Sequence, residues 1–266
     1  MSVESFKKNL WESAILEAFK GICVADAVTV APSRVDGVKA IFNTVSIETG
    51  VQDYKGTVSY EGIDTAAKEL LFDKKKYFAY KLEDVDAIQL AGDVMMPLAN
   101  DMAYDLKRIV DSAVFTEAAT EAANKFESAE SIAKASDAYD NIVDLGTALD
   151  EKDVPENDRF VICRPEYANI LAKDTRVIDN ANVLPNGIVQ GMDVNGMQIV
   201  KTTACPAGKI IVMHKSAVGY GKQLEKLEAL WLESSFSDAV RGLLVFGVEA
   251  LRPEAIAVMD YTIDIK

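Results

Sequence analysis

Histidine is nearly absent: His214 is the only one in 266 residues. No Ser, Cys or Asp beside it in the sequence suggests a nucleophilic triad, so it reads as a packed or capping side chain. Cysteine is almost as scarce. Cys23, Cys163 and Cys205 are odd in number, widely spaced and free of any CxxC pair, which describes three reduced thiols and not a disulfide framework. One histidine and three scattered cysteines also fall short of a zinc site. The glycines build no phosphate cradle. GxxxxGK[ST] does not occur, and Gly219-Tyr220-Gly221 is followed by Leu224 where a dinucleotide fingerprint needs another glycine. The acidic turn Asp150–Asp158 lacks the alternating Asp/Asn positions and central glycine of a calcium loop. Asp137, Asp140 and Asp144 share one helical face, where a wet surface explains them better than paired acid–base work. The expected catalytic, cofactor-binding and metal residues are therefore none, and no cofactor is expected.

Long apolar runs and excess positive charge are missing too. Lys and Arg number 28 against 42 Asp and Glu, a formal charge of −14. That balance argues against a protein that grips nucleic acid through a broad basic surface. It is compatible with one that encloses nucleic acid while touching little of it. No apolar run approaches the ~20 residues of a membrane helix. The start, MSVESFKKNLWESAIL, has no uninterrupted apolar core and no small-residue cleavage site. A soluble chain made in the cytoplasm, with no membrane partner, is the expectation. Its 49% hydrophobic residues suffice for a core in one or two domains.

What is present is organised around Leu82–Phe126. Ala91, Met95, Leu98, Met102, Leu106, Ile109 and Ala113 recur at steps of three and four, which makes one helical stripe. Asp101, Asp105, Lys107, Arg108 and Asp111 fall off that stripe, toward water. Asp93 is the predicted N-cap, and Pro97 falls in or just after the first turn, where it costs at most one helical bond. A helix from Asp93 to about Phe126 would span roughly 50 Å. That length is a spine to which smaller pieces attach.

Ser5–Ile22 reads as a short amphipathic helix with Phe6, Leu10, Ile15, Ala18, Phe19 and Ile22 near one face, too short to be stable without docking. Val38–Leu82 reads as an arm. Val45 and Ile47, then Phe78, Tyr80 and Leu82, alternate with other side chains as in half-buried strands. The two strands are predicted to pair as a long hairpin, with Asp73-Lys74-Lys75-Lys76 in turns and a solvated edge. The arm holds little apolar mass of its own, so it is expected to lie on something else.

Beyond the spine, Ala129–Leu149 is predicted helical. Arg159–Cys163 is a buried strand, Pro165 opens a short helix, Asn195-Gly196 turns a hairpin, and Gly208–Met213 is a further strand. Together they form an α+β unit between about Glu127 and Gly221. Leu227–Leu232, Arg241–Leu251 and Ala255–Met259 are apolar strands, the last two parted by Arg252-Pro253.

Four stretches carry a family likeness: LDEKDVPENDRFVICRPEYANILA from Leu149, NGIVQGMDVNGMQIVKTTACP from Asn186, GKIIVMHKSAVGYGKQLEKLEAL from Gly208 and RGLLVFGVEALRPEAIAVM from Arg241. Over roughly Val38–Met259 the chain resembles the major capsid proteins of tailed bacteriophages, of the Hong-Kong-97-type shell fold. The resemblance implies an α+β capsid fold with an N-terminal arm (1–37), an extended β-hairpin loop (38–82), a peripheral domain with the spine helix (83–126 and 222–266) and an axial domain (127–221). It implies a non-enzymatic protein whose partner is itself, in hexamers and pentamers of an icosahedral head. Enclosed double-stranded DNA would be held without sequence-specific contacts, and the head would be assembled in the bacterial host cytoplasm. Some relatives carry a long N-terminal scaffolding segment for which this chain has no room, which implies a separate scaffolding protein or none, beside a portal. Some relatives cross-link subunits through a lysine of the extended loop. Lys55 and Lys74–Lys76 lie there, but no motif singles one out. Two other readings stand beside this one. One is an encapsulin-type compartment shell of the same fold. The other is a small-molecule enzyme or binding protein of α+β type, which requires Asp137, Glu166 or His214 to converge.

Overall fold

The computed structural model describes residues 23–36, 39–46, 64–83, 95–177, 182–184, 186–232 and 237–264. The helix expected over Ser5–Ile22, the N-cap Asp93 and Lys55 lie outside the described residues. The described chain opens with a one-turn helix, α1 (Ala25–Val28), then β1 (Arg34–Asp36), β2 (Lys39–Ser46), β3 (Asp64–Leu71) and β4 (Lys74–Glu83). The long helix α2 (Met95–Glu121), β5 (Asn124–Ile132), α3 (Ala135–Asp150), β6 (Arg159–Cys163) and α4 (Pro165–Leu171) follow. The rest is strand: β7 (Asn182–Val183), β8 (Ile188–Val194), β9 (Met197–Lys201), β10 (Lys209–His214), β11 (Val218–Leu232), β12 (Ser237–Ala250) and β13 (Ile256–Ile263).

These strands make three sheets, ordered β1-β2-β3, β5-β13-β10-β6-β9-β8-β7 and β11-β12-β4. The seven-stranded sheet follows directly from composition. Arg159–Cys163 is buried at every position and lies between β10 and β9, so both its faces meet protein. Asn195 at φ 50° and Gly196 at φ 74° turn β8 into β9 as an Asn-Gly hairpin. Pro165 stands at the start of α4, where its missing N–H costs nothing. Ile142, Leu145 and Leu149 of α3 and Tyr167 and Leu171 of α4 are fully buried in the same core. The Tyr167 hydroxyl donates to the Ala138 carbonyl at 2.7 Å and ties the two helices together.

Four expectations need correction. The long helix stops at Glu121, and Phe126 belongs to β5. Ala123 N donates to the Pro253 carbonyl at 3.0 Å, and Asn124 Nδ2 donates to the carbonyls of Glu254 and Ile256. Those bonds draw the chain out of the helix and into a parallel pair with β13. For the same reason the next helix begins at Ala135 and not Ala129; Asp137 fixes its start by accepting from the amides of Ala133 and Lys134. Third, the strand around Val45 does not pair with the strand around Tyr80. β2 pairs with β3, while β4 crosses to β12. Lys74–Lys76 are therefore strand residues at the edge of the β11-β12-β4 sheet. Fourth, Asp111 does not face water.

The fourth correction explains how α2 is held. Its buried residues are Met102, Ala103, Leu106, Val110, Val114, Phe115 and Ala118, so the covered stripe passes through Val110 and Val114 while Ile109 and Ala113 are only half-buried. Asp111 is fully buried and accepts from Ala25 N at 2.9 Å, Val24 N at 3.4 Å and Cys23 Sγ at 3.4 Å. A carboxylate placed there satisfies the free amides that open α1. It anchors the segment after residue 22 to the middle of α2.

Candidate assembly interface

The β1-β2-β3 sheet rests on its own chain. Ala40, Phe42, Leu70, Phe72 and Val245 form a small second core, separate from the main one. Three glycines make the seat. A side chain at Gly219 would strike the Phe42 ring at 2.8 Å, one at Gly221 would strike the Phe72 ring at 2.8 Å, and one at Gly247 would meet the Leu71 carbonyl oxygen at 2.3 Å. The absence of Cβ lets the sheet's root sink onto β11 and β12. Lys68 adds a hydrogen bond to the Ala250 carbonyl at 2.5 Å. Each large apolar side chain buried there contributes about 1.5–3 kcal/mol. The arm thus supplies more of its own anchorage than the sequence suggested.

Beyond the root, the surface is unusual. β4 has one neighbour among the described strands, β12, and its side chains alternate. On the inner side Phe78 packs on the core, and the Tyr80 hydroxyl donates to Asp105 of α2 at 3.5 Å. On the outer side Lys75, Tyr77, Ala79 and Lys81 are all exposed. Tyr77 is 81% exposed and stands opposite Leu243, while Ala79 stands opposite Arg241. Leu71 at 58% and Val35 at 47% add apolar surface on the neighbouring sheet. This strand face carries one open tyrosine among charged side chains, an aromatic of the kind that anchors protein–protein contacts. Its positive charge is the complement of an acidic chain.

The side chains that an enzyme would have to gather are each engaged locally. Asp137 caps α3, which holds its carboxyl below the ordinary range through the amides of Lys134 and Ala133. Asp140 pairs with Arg176 at 2.8 Å, and the Arg176 guanidinium lies 4.0 Å over the Tyr139 ring. Glu166 accepts from the Tyr261 hydroxyl at 3.0 Å. His214 caps the turn after β10, its Nδ1 accepting from Ser216 N at 3.1 Å; burial lowers its pKa. All three thiols are buried and free, and burial pushes Cys205 up to about 12, far from thiolate chemistry. Among the described residues no cluster of His, Cys, Asp and Glu suits a metal, and no helix is long and apolar enough to cross a membrane.

The motif after Leu149 also has a structural cause. Arg159 is buried, and its guanidinium donates to Asp150 Oδ1 at 2.6 Å, to the Pro155 carbonyl at 2.8 Å and to the Val154 carbonyl. It clamps the turn in which Asp153 and Asp158 take positive φ, at 52° and 55°. LDEKDVPENDRF is thus a turn written around one arginine. The family model described as "Phage capsid protein" matches residues 67–259, a span that includes this clamp and the Gly219, Gly221 and Gly247 seat.

The chain belongs to the phage capsid protein family. It is a structural protein of the virion capsid, with the Hong-Kong-97-type shell fold. Comparison with curated proteins returns no match. Solved structures share the fold at low identity. A chain of Mycobacterium phage Che8 is 22% identical with a TM-score of 0.62, covering 84% of this chain and 85% of that one. The capsid structure of the cyanophage P-SCSP1u is 19% identical with a TM-score of 0.66, covering 90% and 88%. The virus-like particle from Pyrococcus furiosus is 17% identical with a TM-score of 0.64, covering 93% and 96%. The match to a phage capsid family favours the phage reading over the encapsulin-type compartment.

Proposed function

We propose that this is the major capsid protein of a tailed phage or prophage, assembling through hexamers and pentamers into an icosahedral head around double-stranded DNA. The family match over residues 67–259 carries this reading. The outer face of β4 supports it, because Tyr77 stands 81% exposed there, where a second copy would cover it. In this reading residues 1–37 are the N-terminal arm and 38–82 the extended loop. The peripheral domain comprises 83–126 and 222–266, with α2 as its spine, and 127–221 is the axial domain. Assembly takes place in the host cytoplasm with a separate scaffolding protein and a portal, and the chain catalyses nothing. The DNA is enclosed without sequence-specific contacts.

Negative-stain microscopy and native mass measurement of the full chain, alone and co-expressed with its neighbouring structural genes, test this. Closed shells or rings of five and six copies are expected. A monomer that stays single at every concentration and salt would overturn it.

A further inference from the structure

Between α2 and the turn leading out of β9 lies a groove of about 490 Å³, lined by Tyr104, Lys107, Arg108, Pro165, Lys201 and the Thr202–Ala204 turn, with Asp105 and Asp111. Its charge is opposite to that of the chain. Lys107, Arg108 and Lys201 face two carboxylates, and both of those are committed: Asp105 lies 3.6 Å from Arg108, and Asp111 is buried against the amides of Val24 and Ala25. Among the described residues neither Lys107 nor Lys201 has a carboxylate within ion-pair distance; the Lys201 ammonium donates to the Asn169 side chain at 2.8 Å. Tyr104 is 56% exposed at the groove's edge, beside the carbon surfaces of Pro165 and Ala204.

We propose that this groove binds the sugar–phosphate backbone of nucleic acid. Lysine, arginine, threonine and tyrosine side chains are those that contact phosphate and sugar without reading bases. Carbon surfaces and a tyrosine ring suit the deoxyribose edge between phosphates. On a chain of net charge −14, DNA is repelled by most of the surface, so contact concentrates where cations outnumber free carboxylates. Lys107 and Lys201, with Arg108 shared with Asp105, give a weak contact per copy. Repeated over many copies facing one enclosed molecule, weak contacts sum by effective concentration while each remains easily broken. The proposal rests on the capsid reading, and it names where such a wall touches its content.

The test uses the full chain, a fluorescently labelled duplex of random sequence and anisotropy measured across salt. Wild type is expected to bind, with affinity falling against salt at a log–log slope of about 2–3, the value for about two to three neutralised phosphates. The double variant Lys107→Glu/Lys201→Glu is expected to lose at least about tenfold in affinity near 50 mM salt and to flatten the slope by about two. Tyr104→Ala, which leaves the charges in place, is expected to weaken binding without changing the slope, and it serves as the second probe if the double variant does not fold. Unchanged affinity in the variants, or no binding by wild type at low salt, overturns the proposal. Variants that bind DNA normally but no longer form shells also overturn it, by assigning the groove to carboxylates of a second copy. Failure of wild type to form shells at all counts against the capsid reading and leaves the DNA measurement separate.

Discussion

The seven-stranded sheet and the β11-β12-β4 sheet end up in opposite conditions. The first buries its central strand on every position and is roofed by α3 and α4. The second has α2 beneath it, and on the far side, among the described residues, the root of the β1-β2-β3 sheet covers it through a core of five buried residues. Past that root, among the described residues, the outer face of β4 is exposed. Among the described residues one region is closed by its own chain, while the other leaves exposed the strand face proposed above for contact with a second copy. On that proposal stability belongs to the first and association to the second.

Substitutions in the two regions should separate these properties. The largest loss of stability is expected in the closed region. Ile162→Ala removes a fully buried side chain from β6 and should cost about 2–5 kcal/mol in denaturant unfolding. Asp111→Ala comes next: it strips the acceptor from Ala25 N and Val24 N and should cost about 1–3 kcal/mol. Asp111 also carries a pH signature. Burial raises its carboxyl above the ordinary range, against the lowering influence of the Ala25 amide and Lys107. A carboxyl raised in the folded chain contributes stability that is present below its unfolded pKa and lost as pH rises through the folded value. Asp111→Asn should flatten that part of the stability–pH curve, and titration of the unfolding midpoint from acid to neutral reads it.

Gly247→Val sits in the second region, where β12 meets β3 of the small sheet. The new Cβ meets the Leu71 carbonyl oxygen, so β3 must lift, at about 1–3 kcal/mol for such overpacking. Hydrogen exchange should quicken in β2 and β3 while β6 and β10 keep their protection. Tyr77→Glu should have the smallest effect on the monomer, within about 0.5 kcal/mol as for an open surface site. Yet it should abolish ring or shell formation. If Tyr77→Glu assembled normally, the open face of β4 would not be the contact surface.

Much of the closed region was legible in the sequence, because local signals decide it. The continuous apolar run Phe160–Cys163, the proline at 165 and the Asn195-Gly196 turn each specify their element without distant help. Where tertiary partners outvoted local pattern, the reading went astray. Nothing within Asn124–Ile132 announces a strand; pairing with β13, more than a hundred residues later, imposes it. Asp111 sits where helical spacing alone points it to water, and only the arrival of Ala25 makes burial favourable. β4 alternates as a strand should, but alternation does not name a partner, and it found β12. The outer surface of β4 could have been anticipated from the Lys75, Tyr77, Ala79, Lys81 alternation once the strand was placed. The docking glycines at 219, 221 and 247 gave no such sign, since a glycine in a strand marks close approach without saying of what.

Strand β13 lies between β5 and β10, although it is made long after both. Until Ile256–Ile263 leaves the ribosome, the two strands it joins have an empty slot between them, and the sheet cannot close. A half-made subunit therefore presents no finished body to its neighbours. Synthesis order itself becomes a safeguard, releasing into the pool of building blocks only copies whose middle has been filled.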